Sequence, residues 1–275
     1  MSARKTQVFL LSGAVLLFVL LYIAPKIAPA HSDDDGHNHA AAEKGPVSTD
    51  ATLDIYVSTA AKNIEPGKKQ QLDKLLALKK YDSLTVFWDK LRRPDLASYY
   101  AEETAKQSKT AADWIKAGNR YYYAIQFSQD QTEMPVLYQS AMRCFNKGLS
   151  LEPNNTDARI MLAACYVEGT ADPMEGISRL KAVEKTDSNN VKLQLTFAFF
   201  SVKSGQMDKA ITRFNKVLAI DSNYVEAYLH LADAYERQEK IDKTIEMLEK
   251  YAARTDDATA RIEINKYIQQ LKQRS

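Results

Sequence analysis

Apolar residues recur at helical spacing along most of the chain beyond residue 50. Leu84, Phe87, Trp88 and Leu91 stand at i, i+3, i+4 and i+7 after an Asp82-Ser83 start signal, and Arg92-Arg93-Pro94 stops that helix. Asp95 begins another, with Leu96, Tyr99, Tyr100 and Ala105 on its apolar side. Leu72, Leu75 and Leu76 mark a helix after Gly67, and residues 52–62 predict a short one ended by Pro66-Gly67. Near the C-terminus, Asp256-Asp257 precedes a helix over 258–274 with Ile262, Ile264, Tyr267, Ile268 and Leu271 as its apolar positions. Its other side is polar, through Lys266, Gln269, Gln270, Lys272 and Arg274, as expected of a cap (259–275) covering the last apolar edge of an array.

Between these ends the pattern repeats itself. Met207-Asp208-Lys209-Ala210-Ile211 recurs 34 residues later as Ile241-Asp242-Lys243-Thr244-Ile245, Phe197-Ala198 recurs as Leu231-Ala232, and Phe214 recurs as Leu248. Upstream, Trp114, Gly118 and Tyr121 have W-x3-G-x2-Y spacing, and Ala141, Phe145 and Pro153 have A-x3-F-x7-P spacing. This period and these spacings resemble the tetratricopeptide repeat (TPR) family, of membrane-anchored bacterial type, whose helix-turn-helix units stack into a solenoid. The resemblance implies an all-α, right-handed helical-hairpin solenoid with four units at 111–155, 156–190, 191–224 and 225–258. Residues 51–110 read as diverged hairpins continuing the stack. The first unit exceeds the compact length, which predicts an extended inter-helix loop at 127–137 with Pro135 near the second helix start.

The recurring residue types have a packing reason. Two helices approach closely where a small side chain faces the neighbour, the expected role of Gly118, Ala163, Ala198, Ala210 and Ala232. Trp114, Tyr121, Phe145, Tyr166, Phe197, Phe214, Tyr228, Tyr235 and Leu248 then fill the stripes between hairpins. The resemblance further implies a groove lined by the first helices. In this sequence its lining is Ile115, Lys116, Asn119, Tyr122 and Tyr123, then Ile160, Met161 and Ala164, continued by Lys192, Leu195, Phe199 and Lys203 and by Glu226, His230, Asp233 and Arg237. Family members that clamp C-terminal carboxylates need basic and amide residues where this chain has Ile115, Met161 and Thr196. An extended or helical segment with apolar anchors is the better expectation.

Arg4 and Lys5 precede an uncharged run at 6–25 whose hydrophobic part, 8–24, is 17 residues long and interrupted only by Ser12 and Gly13. At ~1.5 Å per residue it spans roughly 26 Å, near the lower limit for crossing a bilayer core. Ala28-Pro29-Ala30 also has the form of a signal-peptidase site, so a retained anchor within 1–30 and cleavage after Ala30 are both open. Basic residues before the run and Asp33, Asp34 and Asp35 after it place the N-terminus in the cytoplasm and the repeats outside the inner membrane, in the periplasm of a two-membrane bacterium. Residues 31–50 lack periodicity and read as a linker. It holds His31, His37 and His39, three of the chain's four histidines, at spacings that match no established zinc pattern.

Charge narrows the partners. With 37 basic and 35 acidic residues, net charge +2, and no basic block, nucleic acid is a poor fit. Cys144 and Cys165 lie on neighbouring helices and are expected to be free buried thiols. No G-x-S-x-G, H-E-x-x-H or glycine-rich phosphate loop is present, so no enzyme, cofactor, metal site or small-molecule substrate is expected. The chain reads as a membrane-tethered scaffold that binds one or more proteins in an envelope complex serving translocation, secretion, outer-membrane biogenesis or cytochrome maturation. The alternative is a chaperone-like holder of unfolded exported chains.

Overall fold

The computed structural model describes residues 58, 59, 62, 64–128 and 134–273, within a unit spanning Val47–Ser275. The apolar run at 8–24, the linker with its three histidines, most of the helix expected at 52–62, and Arg274 lie outside the described residues. The described residues form twelve helices and no strand. Three come first: α1 (Pro66–Ala77), α2 (Tyr81–Lys90) and α3 (Pro94–Ser108). Four hairpins follow, α4 (Ala111–Ile125) with α5 (Met134–Leu151), α6 (Thr156–Gly169) with α7 (Pro173–Thr186), α8 (Val191–Lys203) with α9 (Met207–Ile220), and α10 (Glu226–Glu236) with α11 (Ile241–Arg254). The last helix is α12 (Ala258–Lys272). Each packs chiefly on its neighbours in the chain, the arrangement of a solenoid whose stability is built from adjacent contacts. No helix among the described residues is long and apolar enough to cross a membrane.

Three of the four hairpins start where short polar side chains satisfy the free amides of the first turn, α10 being the exception. Thr110, Asn155, Asn190 and Asp257 each accept from backbone N–H groups at the starts of α4, α6, α8 and α12. Asp172 does the same for α7, which has Pro173 in its first turn. The α2 start differs from the expectation: it begins at Tyr81, and Asp82 instead accepts a hydrogen bond from Thr104 Oγ1 at 3.2 Å. Arg92 turns the chain with φ 58°, and α3 then begins at Pro94, held by an Arg93–Asp95 ion pair at 2.7 Å. The loop expected at 127–137 is shorter, because α5 already begins at Met134 and Leu137 and Tyr138 are buried on it.

Small residues sit where rings must fit. A Cβ on Gly118 would lie 2.8 Å from the Phe145 ring, and one on Gly169 2.3 Å from Tyr138. Ala163, Ala198 and Ala210 are fully buried, and Ala232 nearly so. Aromatic residues of three first helices are covered by cations from their own hairpins. Arg179 lies 4.4 Å over Tyr166, Arg213 4.4 Å over Phe197 and Lys243 5.8 Å over Tyr235. At the C-terminal end α12 buries Ile268 and Leu271 while Lys266, Gln269, Gln270 and Lys272 face solvent. Ile262, expected on the apolar side, is 65% exposed, so the cap's covering stripe begins only at Ile264.

Candidate functional site: the face shared by the first helices

Side chains of consecutive first helices meet one another directly. Tyr122 on α4 donates to Glu168 on α6 at 2.6 Å, and Lys203 on α8 reaches the same carboxylate at 3.1 Å. At the other end of this pair of helices, Lys192 on α8 contacts Asp157 on α6 at 3.1 Å. Both ion pairs join residues 35 apart, one unit of the repeat. Phe199 on α8 then packs edge-on against His230 on α10, with ring centroids 4.9 Å apart, and His230 stacks on Phe214 at 5.1 Å. The face is therefore continuous from α4 to α10.

Most of the predicted lining lies on this face. Lys116, Asn119, Tyr123, Phe199, Lys203 and Arg237 are exposed, whereas Tyr122, Leu195 and Asp233 are half-buried. Arg237 and Asp233 pair with each other at 3.0 Å. Two expectations fail. Ile160 is 0% exposed and belongs to the core joining α6, α7 and α8 with Leu180, Val183 and Leu193, so no ligand reaches it. Ala164 is 2% exposed and likewise covered.

Burial dominates the electrostatics around the face. Burial, reinforced by the hydrogen bond to Glu168, raises the Tyr122 phenol, and burial with the Glu168 charge raises Tyr138. Both stay neutral. His230, wedged among rings, is held below the ordinary histidine range by burial. Cys144 and Cys165 are free and buried, and desolvation raises both thiols, which suppresses thiolate chemistry. Among the described residues no group of three or more His, Cys, Asp or Glu side chains is placed to hold a metal ion.

At the N-terminal end the face opens into a cleft of about 400 Å³ between α4 and the α2–α3 turn. Ile115, Lys116, Asn119 and Tyr123 of α4 line one side, and Asp89 and Pro94 the other. Arg120 crosses it to pair with Asp89 at 2.5 Å. Tyr123, 54% exposed, packs on Phe127, 53% exposed, with centroids 4.6 Å apart. Behind the cleft is a group that sequence reading missed. Glu102 on α3, 2% exposed, accepts from Tyr121 Oη at 2.9 Å and from the Arg143 guanidinium at 3.0 and 2.8 Å. Its signal was its place between Ala101 and Ala105 on the buried stripe of α3.

The family model described as TPR repeat matches residues 202–239, and that described as Tetratricopeptide repeat matches residues 225–254. Tetratricopeptide repeats are matched over residues 202–254. No curated protein matches it significantly. Among solved structures, PilW, described as a widely conserved type IV pilus biogenesis factor, is 16% identical, with 69% of this chain and 90% of that one covered at a TM-score of 0.49. TTC0263, a thermophilic TPR protein in Thermus thermophilus, is 18% identical, covering 68% and 96% at 0.46. YrrB, a TPR protein with an unusual peptide-binding site, is 21% identical, covering 68% and 90% at 0.42. Likenesses at this level carry no functional inference. The TPR assignment rests on the family matches and on the stacked hairpins, and TPR repeats serve protein–protein interaction.

Proposed function

We propose that this chain is a membrane-tethered scaffold that holds a partner protein against the first-helix face of its repeats, as an accessory subunit of an envelope complex. The apolar run at 8–24 is the tether, and the charge asymmetry around it puts the repeats on the periplasmic side of an inner membrane. The observation that carries the docking surface is the continuous face from Tyr122 to Arg237. It joins exposed aromatic and cationic side chains, the types that serve as interface anchors, to a rigid backing of inter-repeat ion pairs and stacked rings.

Purification from membranes in mild detergent tests the reading. The full chain should retain a stoichiometric partner, and combined replacement of Tyr122, Phe199 and Lys203 by Ala should release it while helical content and cooperative melting persist. Undiminished capture by the folded triple variant would move the docking surface off this face. The exposed aromatic residues Tyr123, Phe127 and Phe199 also support a second reading, a holder of unfolded exported chains. Promiscuous suppression of aggregation in place of one stoichiometric partner would favour it.

A further inference from the structure

Positive charge gathers on the helices that precede the repeats. Residues 62–93 hold nine Lys and Arg against four Asp and Glu, a net +5 in a chain whose total is +2, so the remainder is acidic on balance. The α1–α2 turn concentrates part of that charge beside exposed hydrocarbon. Backbone N–H groups of Leu78, Lys79 and Lys80 donate to the carbonyls of Lys74, Leu76 and Leu75 at 3.2, 3.0 and 3.1 Å, and Lys79 reverses the chain with φ 48°. This tight closure brings Lys74, Lys79 and Lys80, all exposed, around the same turn as Leu78, which is 57% exposed, and Leu76, which is 39% exposed. None of these three lysines makes an ion pair among the described residues. The acids nearest in sequence, Asp73 and Asp82, flank the turn, and Asp82 is engaged by Thr104 Oγ1 at 3.2 Å. That contact, with Tyr81 stacked on Tyr100 at 6.3 Å between centroids, fixes the start of α2 on α3. The turn is thus a held surface feature.

Lysines around exposed leucines suit one kind of partner. At a bilayer surface the apolar side chains enter the acyl boundary while the ammonium groups meet headgroup phosphates. Position in the chain agrees with that chemistry. Only residues 25–65 separate the apolar run at 8–24 from the start of α1 at Pro66, so a membrane entered by the run keeps the turn close to its own surface.

We propose that the α1–α2 turn is a second membrane contact, docking on anionic phospholipid through Lys74, Lys79 and Lys80 with Leu76 and Leu78 in the interface. This rests on the tether assigned to the apolar run. It assigns the bilayer to the helices before the repeats and leaves the first-helix face open to the partner protein.

The test uses the full chain reconstituted into vesicles, with Ala77, exposed between the two leucines, replaced by Cys and labelled with an environment-sensitive nitrobenzoxadiazole dye. Cys144 and Cys165 are buried, and the parent chain controls for their labelling. In phosphatidylcholine vesicles containing phosphatidylglycerol the dye emission should shift to the blue and be quenched by lipids brominated in their acyl chains. Pure phosphatidylcholine should give neither response, and high salt should reverse both. Joint Lys79→Glu and Lys80→Glu replacement should abolish the response with helical content unchanged, and Leu78→Ser should reduce it. A dye at Lys181→Cys, on the exposed side of α7, should not respond. Equal responses in neutral and anionic vesicles, indifference to the lysine replacements, or a response to soluble polyglutamate matching that to phosphatidylglycerol would overturn the proposal, the last by pointing to an acidic protein. Flotation with neutral vesicles in high salt reports the tether separately. A chain that floats but gives no response at residue 77 would sink this inference alone, whereas one that fails to float yet is recruited by phosphatidylglycerol through the lysines would remove the tether and keep the contact.

Discussion

At the junction of α3 with the first repeat the chain buries a carboxylate, whereas at the junction of α8–α9 with α10–α11 it buries little besides hydrocarbon. Glu102 lies at 2% exposure between Tyr121 and Arg143, and its three short hydrogen bonds join α3, α4 and α5. Across the later junction, Ala198, Ala210, Phe214, Leu231, Ala232 and Leu248 fill one apolar cluster. A regular repeat presents the same small-and-large surface at every period, so the next hairpin fits it by shape alone. Helix α3 precedes the regular units, and to the packing of its small residues Ala97, Ala101 and Ala105 it adds a polar contact. It is positioned by a paired buried charge, a weak source of net stability that is costly to leave half-made.

Breaking the pair gives the largest expected effect. Glu102→Ala strands the Arg143 guanidinium and the Tyr121 hydroxyl, and should cost about 3–5 kcal/mol in reversible denaturant unfolding. A loss under about 1 kcal/mol would show that the charge is not integral to the junction. On the apolar side of the comparison, Ala210→Trp should overpack the α8–α9 hairpin by about 1–3 kcal/mol. Lys209→Trp, at the adjacent exposed position, should be far milder. Equal melting temperatures for these two variants would contradict the small-to-large packing on which the comparison stands.

The smallest effect separates the two regions by pH. His230 is the only histidine among the described residues and lies in the later repeats, between Phe199 and Phe214. Burial holds its folded-state pKa below 6.5, while Asp233 and Glu226 on the same helix oppose the shift. The unfolded chain therefore takes up the proton first as pH falls. The contribution of His230 is complete above pH 6.5 and declines as pH drops below it toward the folded-state value. Hydrogen exchange should show α8–α10 loosening in that window before α3–α5, and His230→Leu should remove the difference. The same loosening in the Leu variant would assign it to carboxylates elsewhere.

Several local features were legible because one residue type has one job. Gly118 was readable from spacing as a place of close approach, and the structure shows why: only a missing Cβ lets the Phe145 ring approach. Ile160 was misplaced for an equally local reason. Helix α6 is apolar almost all round, and it belongs to two cores, with Leu162 and Cys165 facing one and Ile160 and Ala163 the other. Periodicity identifies a buried stripe only where a polar face contrasts with it. The Lys192–Asp157 and Lys203–Glu168 pairs carried a signal that went unread, opposite charges 35 residues apart at matching places in adjacent units.

The sequence by itself determined the helical hairpins and the tetratricopeptide period, because amphipathic spacing and small-residue placement act within one or two turns of chain. Only the tertiary structure decided which exposed side chains share a face, which acid is buried, and that Lys116 and Asn119 stay unpaired beside a closed Asp89–Arg120 pair. Those outcomes depend on contacts between residues 19 to 46 positions apart, such as Tyr121 with Glu102 and Tyr122 with Glu168. An ion pair or a cleft exists only once separate helices have been packed, and one-dimensional periodicity does not encode the angle at which they meet.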